Sequence, residues 1–477
     1  MKKLFSLLSA LTITGTSMPS LVSCKIFDTN NEASYKQSTI IKQKNELLTS
    51  DEIRKRENRN LRHSEFKPTG YFLKKDSRYK IILNRRVTDD EAKNVKLSIG
   101  QWGKYANAML QQDDNTFSEY QISSNSQEIS FITKNSGVLY VADNNQTNLQ
   151  IVNVAGDNPE DVIKIPTFKV NETNEKEFEK ETKTTNSPFV EFVSKHYFAT
   201  MQTDIIKKII NGPKESGWWD AFLNNWDHGW NMTNKFWGLS EEATDINHKY
   251  SQYIHIANAD DGAGYANATD GRVMFPNSTN AGDDLFHQTR DQGALWHESA
   301  HTYTAAQYTF SNTGETRAEV SKVYVQQSLR VKPKVFEFRD VVTKYLNQPD
   351  QDKHFLDMKE DYGDNTWTKV SMFWQLNMAF GNNFYTIVNQ KYRKINNGQD
   401  PDADPRFDND DKKVQGFIKL TSQVTGYNLA PFFTKWGLWV TDDTLNIIKD
   451  LKPLTKEIWN NIVDPSTEEN PIVQEEI

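Results

Sequence analysis

Cysteine is the residue that this sequence most clearly lacks, since Cys24 is the only one among 477 residues. A single cysteine excludes any disulfide within the chain. The fold must therefore be stabilised by core packing, or by a bound metal, and not by cross-links. Aromatic residues make up 12% of the chain. That share is enough to build substantial cores, which argues against a chain that is disordered throughout.

Two further features are missing: an excess of positive charge and a second long apolar segment. The net charge is −8, whereas nucleic-acid binding needs a basic face, so we expect no nucleic-acid partner. After the first 23 residues no apolar run reaches the 18 or so residues that a membrane-spanning helix needs. The sequence therefore predicts a chain that does not cross a membrane.

The first residues have the pattern of a bacterial export signal. A basic "MKK" precedes the short apolar run "LFSLLSALTI", which is typical of a signal peptide. The following "LVSC" resembles a lipobox, with Ser23 directly before Cys24. We expect residues 1–23 to be removed and Cys24 to be lipidated, which would anchor the protein on the extracellular face of the cell membrane. The alternative is an ordinary signal peptide with an incidental cysteine.

The remaining chain predicts an α+β protein of several domains. Residues 24–65 are polar and are expected to form a flexible tether. Short β-rich runs separated by turns predict a β-sandwich over residues 66–187, with the charged stretch 171–187 as a hairpin tip or an interdomain loop. A mainly helical domain with a small sheet is predicted for residues 188–365, and a C-terminal helical subdomain for residues 366–477.

A row of tryptophans precedes the most informative motif. Trp219, Trp226, Trp230 and Trp237 recur at spacings of seven, four and seven, which places them on one face of a helix. Such a row can stack on sugar rings. Core packing is the favoured interpretation, because large aromatics at helical spacing usually face a core.

The motif itself is "WHESAHTY". On a helix, His297 and His301 lie one turn apart on the same face, so their ring nitrogens can converge on one ion. Glu298 stands beside the first histidine, where it can act on a water rather than bind the metal. This is the chemistry of the H-E-x-x-H pattern, in which two imidazoles bind Zn²⁺ and the glutamate is the general base. The alternative is a pair of structural core histidines.

A zinc hydrolase needs a third protein ligand, and the sequence offers two candidates. Glu315 and Glu319 both follow the turn "SNTG" and, being four apart, share one helical face. Each also has a plain structural role, since Glu319 can form a capping box with Thr316 and Glu315 can favour the positive end of the helix. Periodicity does not decide between them.

The spacing of this segment resembles that of the enhancin-like, mucin-degrading zinc metallopeptidases. The shared features are H-E-x-x-H, thirteen further residues and a glutamate, with "YTF" and "TGE" between and "YVQ" after. The resemblance implies Glu315 as the third zinc ligand. It also implies a zincin-type peptidase domain, preceded by a β-rich module and followed by a helical part. One departure is Ala318-Glu319, where family members often have an asparagine pair.

With the lipobox-like N-terminus, the favoured interpretation is a surface-anchored zinc endopeptidase, and the resemblance implies that it cleaves mucin-like, O-glycosylated host proteins. Two other functions stay open: a peptidase of ordinary polypeptides, and a non-catalytic adhesin that binds glycoproteins. Glu298 favours an enzyme, because an adhesin has no need of it. We expect the strand near "GRVMFPN" to be the edge along which an extended peptide binds. Spacing singles out no residue that would stabilise the oxyanion.

Overall fold

The protein has a mixed α/β architecture with several sheets. The computed structural model describes residues 47–107, 110, 116–287, 290–465 and 473. The strands are β1 (Phe66–Leu73), β2 (Arg78–Leu83), β3 (Lys96–Gln101), β4 (Thr116–Gln121), β5 (Glu128–Ile132), β6 (Gly137–Ala142), β7 (Ile151–Gly156), β8 (Val162–Lys164), β9 (Thr167–Lys169), β10 (Phe189–Val193), β11 (Tyr197–Gln202), β12 (Ile254–Ala257), β13 (Asn267–Thr269), β14 (Arg272–Met274), β15 (Tyr427–Asn428) and β16 (Lys452–Pro453). The helices are α1 (Ser50–Arg56), α2 (Glu91–Asn94), α3 (Glu175–Thr184), α4 (Thr203–Asn211), α5 (Trp218–Phe236), α6 (Ala281–His287), α7 (Gly293–His301), α8 (Gly314–Ser328), α9 (Arg339–Leu346), α10 (Asp364–Phe380), α11 (Phe384–Asn396), α12 (Asp410–Thr425), α13 (Ala430–Lys435) and α14 (Asp442–Ile448).

Two antiparallel sheets come first in the chain and share one hydrophobic core. The first sheet has the order β4-β3-β6-β1-β8 and the second has the order β5-β2-β7. In β2 every second side chain is buried, with Tyr79, Ile81 and Leu83 facing the core and their neighbours facing outward. They pack in one cluster with Leu139 and Val141 of β6. This alternation is the local reason why these residues form strands.

The other face of the five-stranded sheet packs against a mixed six-stranded sheet of order β13-β14-β12-β11-β10-β9. A second hydrophobic cluster joins Phe72 and Tyr140 of the five-stranded sheet to Phe189 and Phe198 of the six-stranded sheet. The five-stranded sheet is therefore buried on both faces. This burial explains why β6, with the sequence "GVLYVA", is apolar throughout instead of alternating.

The stretch predicted to be a hairpin tip or an interdomain loop is different in the structure. Within residues 171–187, α3 begins after Asn174, whose side chain accepts hydrogen bonds from two backbone N–H groups of the first turn. Phe178 on this helix packs on Phe168 of β9 and on Trp219 of α5. Both β9 and α3 therefore belong with the six-stranded sheet, ahead of the predicted boundary at residue 188. The other predicted boundaries stay predictions.

The end of the predicted tether is also folded. Helix α1 begins with a capping box between Thr49 and Glu52 and buries Ile53. Glu57 is fully buried, and its carboxylate forms ion pairs with Arg59 at 2.5 Å and with Lys249 at 3.1 Å. The tether prediction is wrong for residues 47–65, because most of their buried side chains are polar or charged and so look solvent-exposed in the sequence. Residues 24–46 and the signal peptide lie outside the described residues.

Helices surround the six-stranded sheet and complete the largest core. The tryptophan row lies on α5 and directly after it, and all four indoles are at most 3% exposed, which confirms the core interpretation. Helix α10 is buried on every side from residue 366 to residue 380 and packs directly on α8. No helix among the described residues has the length and apolar character needed to span a membrane.

Candidate metal centre

Helices α7 and α8, which pack directly on each other, carry the residues of the H-E-x-x-H segment and both candidate third ligands. Helix α7 is positioned by Trp296, a fully buried indole next to His297. The Trp296 indole packs closely against α5 at Gly229, which has no side chain to obstruct it. A Cβ atom added at Gly229 of α5 would lie 2.2 Å from Trp296 Nε1, so the indole occupies the space that a side chain would fill.

Three side-chain atoms converge between these two helices. His297 Nε2 lies 2.9 Å from Glu315 Oε2 and 3.0 Å from His301 Nε2. His301 Nε2 lies 3.4 Å from the same Glu315 oxygen. Among the described residues, this is the one group of histidine, cysteine and carboxylate side chains whose ligand atoms are close enough to hold a metal ion. The predicted residues of the site are therefore brought together.

Glu319 lies on the opposite side of the His297 ring. Its Oε1 is 3.0 Å from His297 Nδ1, while the other carboxylate oxygen is 2.5 Å from Lys322 Nζ. A metal on Nε2 and a carboxylate on Nδ1 is the usual arrangement for a metal-binding histidine, because the carboxylate fixes the tautomer and the ring orientation. The structure thus places Glu315 beside the two Nε2 atoms and Glu319 beside the Nδ1 atom of His297.

The position of Glu315 depends on a residue far along the chain. Glu360 accepts hydrogen bonds from the backbone N–H of Glu315 at 3.1 Å and from that of Thr316 at 2.5 Å. The Thr316 hydroxyl also donates to Glu360, at 2.7 Å, so no Thr316–Glu319 capping box forms. Since α8 has no side-chain cap from its own N-cap residue, Glu360 supplies the missing acceptor and fixes the first turn.

The charges of the site are strongly coupled. Burial alone would lower the pKa of His297, but the neighbouring carboxylates of Glu315 and Glu319 outweigh it and raise that pKa to about 10. Burial would raise the pKa of Glu315, but its hydrogen bonds with His297 and His301 hold that pKa well below the ordinary range. The carboxylates therefore give the site a negative charge that favours a bound cation. This cation is a proton when the site is free of metal, and a metal ion when metal is bound.

Glu298 has the opposite perturbation. Its side chain is 7% exposed, and burial raises its pKa, with the carboxylates of Glu315 and Glu319 adding to the increase and the two histidines opposing it. A carboxylate whose proton affinity is raised in this way is suited to accept a proton during a reaction. Glu298 is thus the base candidate in the place that the sequence predicts.

The site opens into a cavity of about 850 Å³. Its lining comprises Asn60, Leu61, residues 263–268, Ala294, His297, Glu298, His301, Glu315, Glu319, Lys322 and Tyr362. The strand in "GRVMFPN" is β14, which is paired on both sides, with β12 and with β13. The prediction that it forms the substrate edge is wrong, because the hairpin after residue 262 folds back and makes β13 the outermost strand, beside α7.

Two residues of this site were missed in the sequence. Glu360 and Tyr362 stand about 60 residues after Glu298, in a turn-rich segment without periodic pattern. Partial burial, together with the negative charges of Glu315 and Glu298, raises the pKa of the Tyr362 phenol. No spacing rule links this segment to the H-E-x-x-H helix.

Comparison with known proteins gives the family. The model of peptidase M60, enhancin and enhancin-like, matches residues 161–437, which is more than half of the chain. The chain belongs to the M60 peptidase family. The match begins directly before β8, ahead of residue 188. Membership of a family of metallopeptidases agrees with the convergent histidines and glutamate of the site. No curated protein matches the chain.

Several solved structures share the fold. A functionally unknown conserved protein from Bacillus anthracis str. Ames has 23% sequence identity and a TM-score of 0.72, over 90% of this chain and 81% of that chain. The ZmpB metallopeptidase from Clostridium perfringens has 13% identity and a TM-score of 0.65, over 86% and 81%. The M60 catalytic domain of ZmpC from the same organism, in complex with the sialyl T antigen, has 14% identity and a TM-score of 0.64, over 87% and 80%. At these identities the likeness establishes the fold.

Proposed function

We propose that this M60 peptidase is a zinc-dependent endopeptidase. The observation that carries the proposal is the convergence of His297 Nε2, His301 Nε2 and Glu315 Oε2, at 2.9–3.4 Å from one another, beside a buried Glu298 in an open cavity. All three atoms are hydrogen-bond acceptors when they are deprotonated, and acceptors repel one another at this distance. Their convergence is therefore favourable only when a cation lies among them.

The donor set fits zinc. Zinc bonds to nitrogen and carboxylate oxygen are about 2.0–2.2 Å long, so tetrahedral ligand atoms lie about 3.3–3.6 Å apart. Of the three observed distances, 3.4 Å lies in this range, and 2.9 Å and 3.0 Å are a few tenths of an ångström shorter. Two imidazoles and one carboxylate leave a fourth position for water and substrate, as catalytic zinc sites require. When bound, zinc supplies a Lewis acid that polarises water and the scissile carbonyl.

The chain's own residues then move one proton. Glu298 accepts a proton from the attacking water as the oxygen forms its bond to the carbonyl carbon. It delivers this proton to the leaving nitrogen as the C–N bond breaks. Glu319 acts through His297: its Oε1 lies 3.0 Å from His297 Nδ1 and favours the proton on that nitrogen, so that the Nε2 lone pair is directed at the site. Burial raises the pKa of Glu298, which favours its acceptance of the proton from water.

The proposed substrates are mucin-like, O-glycosylated proteins. The cavity is wide, and the outermost strand β13 lies along it, which allows an extended peptide to pair with main-chain atoms. The ZmpC catalytic domain was solved with the sialyl T antigen, and a second similar metallopeptidase was solved with the Tn antigen at 14% identity. These complexes support a glycan-bearing substrate for this chain by analogy.

We further propose that the enzyme works outside the cell, attached to the membrane through a lipid on Cys24. The support is the lipobox-like "LVSC" after an apolar segment. Mass spectrometry of the N-terminal peptide from the membrane fraction tests it. A diacylglycerol thioether on Cys24 is expected, and an unmodified Cys24 in that fraction would contradict the proposal.

Cleavage of a mucin-type glycoprotein tests the enzymatic proposal. The zinc-loaded chain should cut the glycoprotein, while Glu298→Gln should bind the same zinc and cut at least about 1,000-fold more slowly, because the base is removed. The deglycosylated protein should be a poorer substrate. Equal cleavage of both forms would indicate a peptidase of ordinary polypeptides. Binding without cleavage of any protein by the wild type would indicate an adhesin.

A further inference from the structure

The geometry points to Tyr362 as a catalytic residue of this site. We propose that its phenol donates a hydrogen bond to the carbonyl oxygen of the scissile bond and stabilises the negative charge that develops there. This inference rests on the proposed peptidase function. It supplies the one role that the H-E-x-x-H helix and its carboxylates leave unfilled, because carboxylates and metal-binding imidazoles offer no free donor to an oxyanion.

Tyr362 lies at the site although no strand or helix carries it there. Its side chain is 67% exposed and lines the cavity together with His297, Glu298 and Glu315. Besides partial burial, the negative charges of Glu315 and Glu298 raise the pKa of the phenol, because it stands near both carboxylates. Glu315 Oε2 in turn lies 2.9 Å from His297 Nε2. Because Tyr362 and Glu298 line the same cavity, a carbonyl oxygen bound there can face the phenol.

The turn that presents Tyr362 is held at both ends. On one side Glu360 is bound to the first turn of α8 through the backbone N–H groups of Glu315 and Thr316. On the other side Asp361 accepts a hydrogen bond from the backbone of Gly363 at 2.8 Å, within the turn that leads into α10. The turn that carries Tyr362 is thus held to the backbone of the proposed zinc ligand Glu315 and to Gly363, the N-cap residue of α10.

The backbone of Tyr362 is strained. Its φ is +55°, in the left-handed region that bulky side chains rarely adopt. The Thr366 hydroxyl, which accepts a hydrogen bond from the Tyr362 N–H at 3.1 Å, helps to hold this conformation. Strain of this kind persists where the surroundings enforce it, and it concentrates at functional sites. Here it aims an exposed aromatic ring at the cavity instead of at a core.

The step that Tyr362 assists is balanced without a further reactant. The water oxygen bonds to the carbonyl carbon, the π electrons move onto the carbonyl oxygen, and the water proton goes to Glu298. The phenol keeps its proton and contributes only a hydrogen bond that strengthens as charge builds up on the oxygen. Its effect should therefore appear in the rate of cleavage and not in the binding of uncut substrate.

Tyr362→Phe tests the inference, because it removes the donor and keeps the ring. In the zinc-loaded enzyme, kcat for a mucin-type glycoprotein should fall by about 100-fold. The Kd for uncut glycoprotein, measured in a Glu298→Gln background with and without the second change, should stay within threefold. A phosphinic analogue of the bond that the wild type cuts should lose affinity by about the same factor as kcat.

Zinc affinity separates this role from a positioning role. If Tyr362→Phe weakened zinc binding in proportion to kcat, the phenol would merely orient Glu315, and the inference would be wrong. Tyr265→Phe is the matched control, since that hydroxyl also borders the cavity but bonds Asp284 at 2.8 Å. It should change phosphinic-analogue affinity far less than Tyr362→Phe does, and an equal loss would contradict the inference.

The experiment also separates this inference from the function on which it rests. A zinc-loaded wild type that cut no protein would refute the proposed function, and the inference would fail with it. A wild type that cuts, beside a Tyr362→Phe enzyme whose kcat stays within threefold, would refute the inference alone.

Discussion

The two glutamates at the start of α8 should affect zinc binding very differently. Glu315 contributes an oxygen to the convergent group, 2.9 Å from His297 Nε2, whereas Glu319 touches only the opposite nitrogen of that ring. Glu315→Ala removes one of three ligands, and we expect stoichiometric zinc to be lost at micromolar metal. Glu319→Ala removes an outer partner, which typically weakens metal binding about 10- to 100-fold, or about 1.4–2.7 kcal/mol.

Competition against a fluorescent zinc chelator measures both affinities in the purified chain. Glu319→Gln is the matched control, because its amide oxygen can still accept a hydrogen bond from His297 Nδ1 while the negative charge is removed. It should lose less affinity than Glu319→Ala. The reasoning would be refuted if Glu315→Ala kept wild-type zinc affinity, or if Glu319→Ala lost more affinity than Glu315→Ala did.

Two other predictions concern stability. Burial raises the pKa of Glu191 to about 8, above its unfolded value of about 4.5, so its stabilising effect is complete below about pH 4.5 and is lost as pH rises through 8. Glu191→Gln should remove this loss of stability, which is at most about 5 kcal/mol. Urea unfolding at several pH values between 5 and 9 measures the free energy of unfolding of both proteins. The prediction would be contradicted if that free energy changed with pH in the same way in the wild type and the variant. Gly229→Ala would place a Cβ 2.2 Å from Trp296 Nε1, so it should lower stability by about 1–3 kcal/mol and weaken zinc binding at the neighbouring His297. An unchanged melting temperature together with unchanged zinc affinity would show that the indole has room to move.

The sequence was most informative where the determining contacts are local. His297 and His301 are one helical turn apart, so their common face follows from helix geometry alone. The choice between Glu315 and Glu319 does not, because both share a face of α8, and only the family resemblance favoured Glu315. The structure shows a difference that periodicity does not reveal. Glu315 lies beside Nε2 of the His297 ring, and Glu319 lies beside Nδ1 of the same ring.

Long-range partners explain the features that the sequence did not reveal. Glu360 caps α8 from 45 residues away, and no local pattern marks such a contact. The segment before β1 is polar and charged, which predicts a tether, yet the ion pair between Glu57 and Arg59 allows both side chains to be buried. Charged residues are mostly exposed in proteins, so composition alone favours the wrong interpretation at such places.

The central claim is that one zinc ion binds among His297, His301 and Glu315. Anomalous diffraction at the zinc edge from crystals of the zinc-loaded chain tests it most directly. The account predicts one strong peak about 2.0–2.2 Å from both Nε2 atoms and from a Glu315 oxygen, with Glu319 remaining on His297 Nδ1. A peak bound by Glu319, or no peak between α7 and α8, would contradict it.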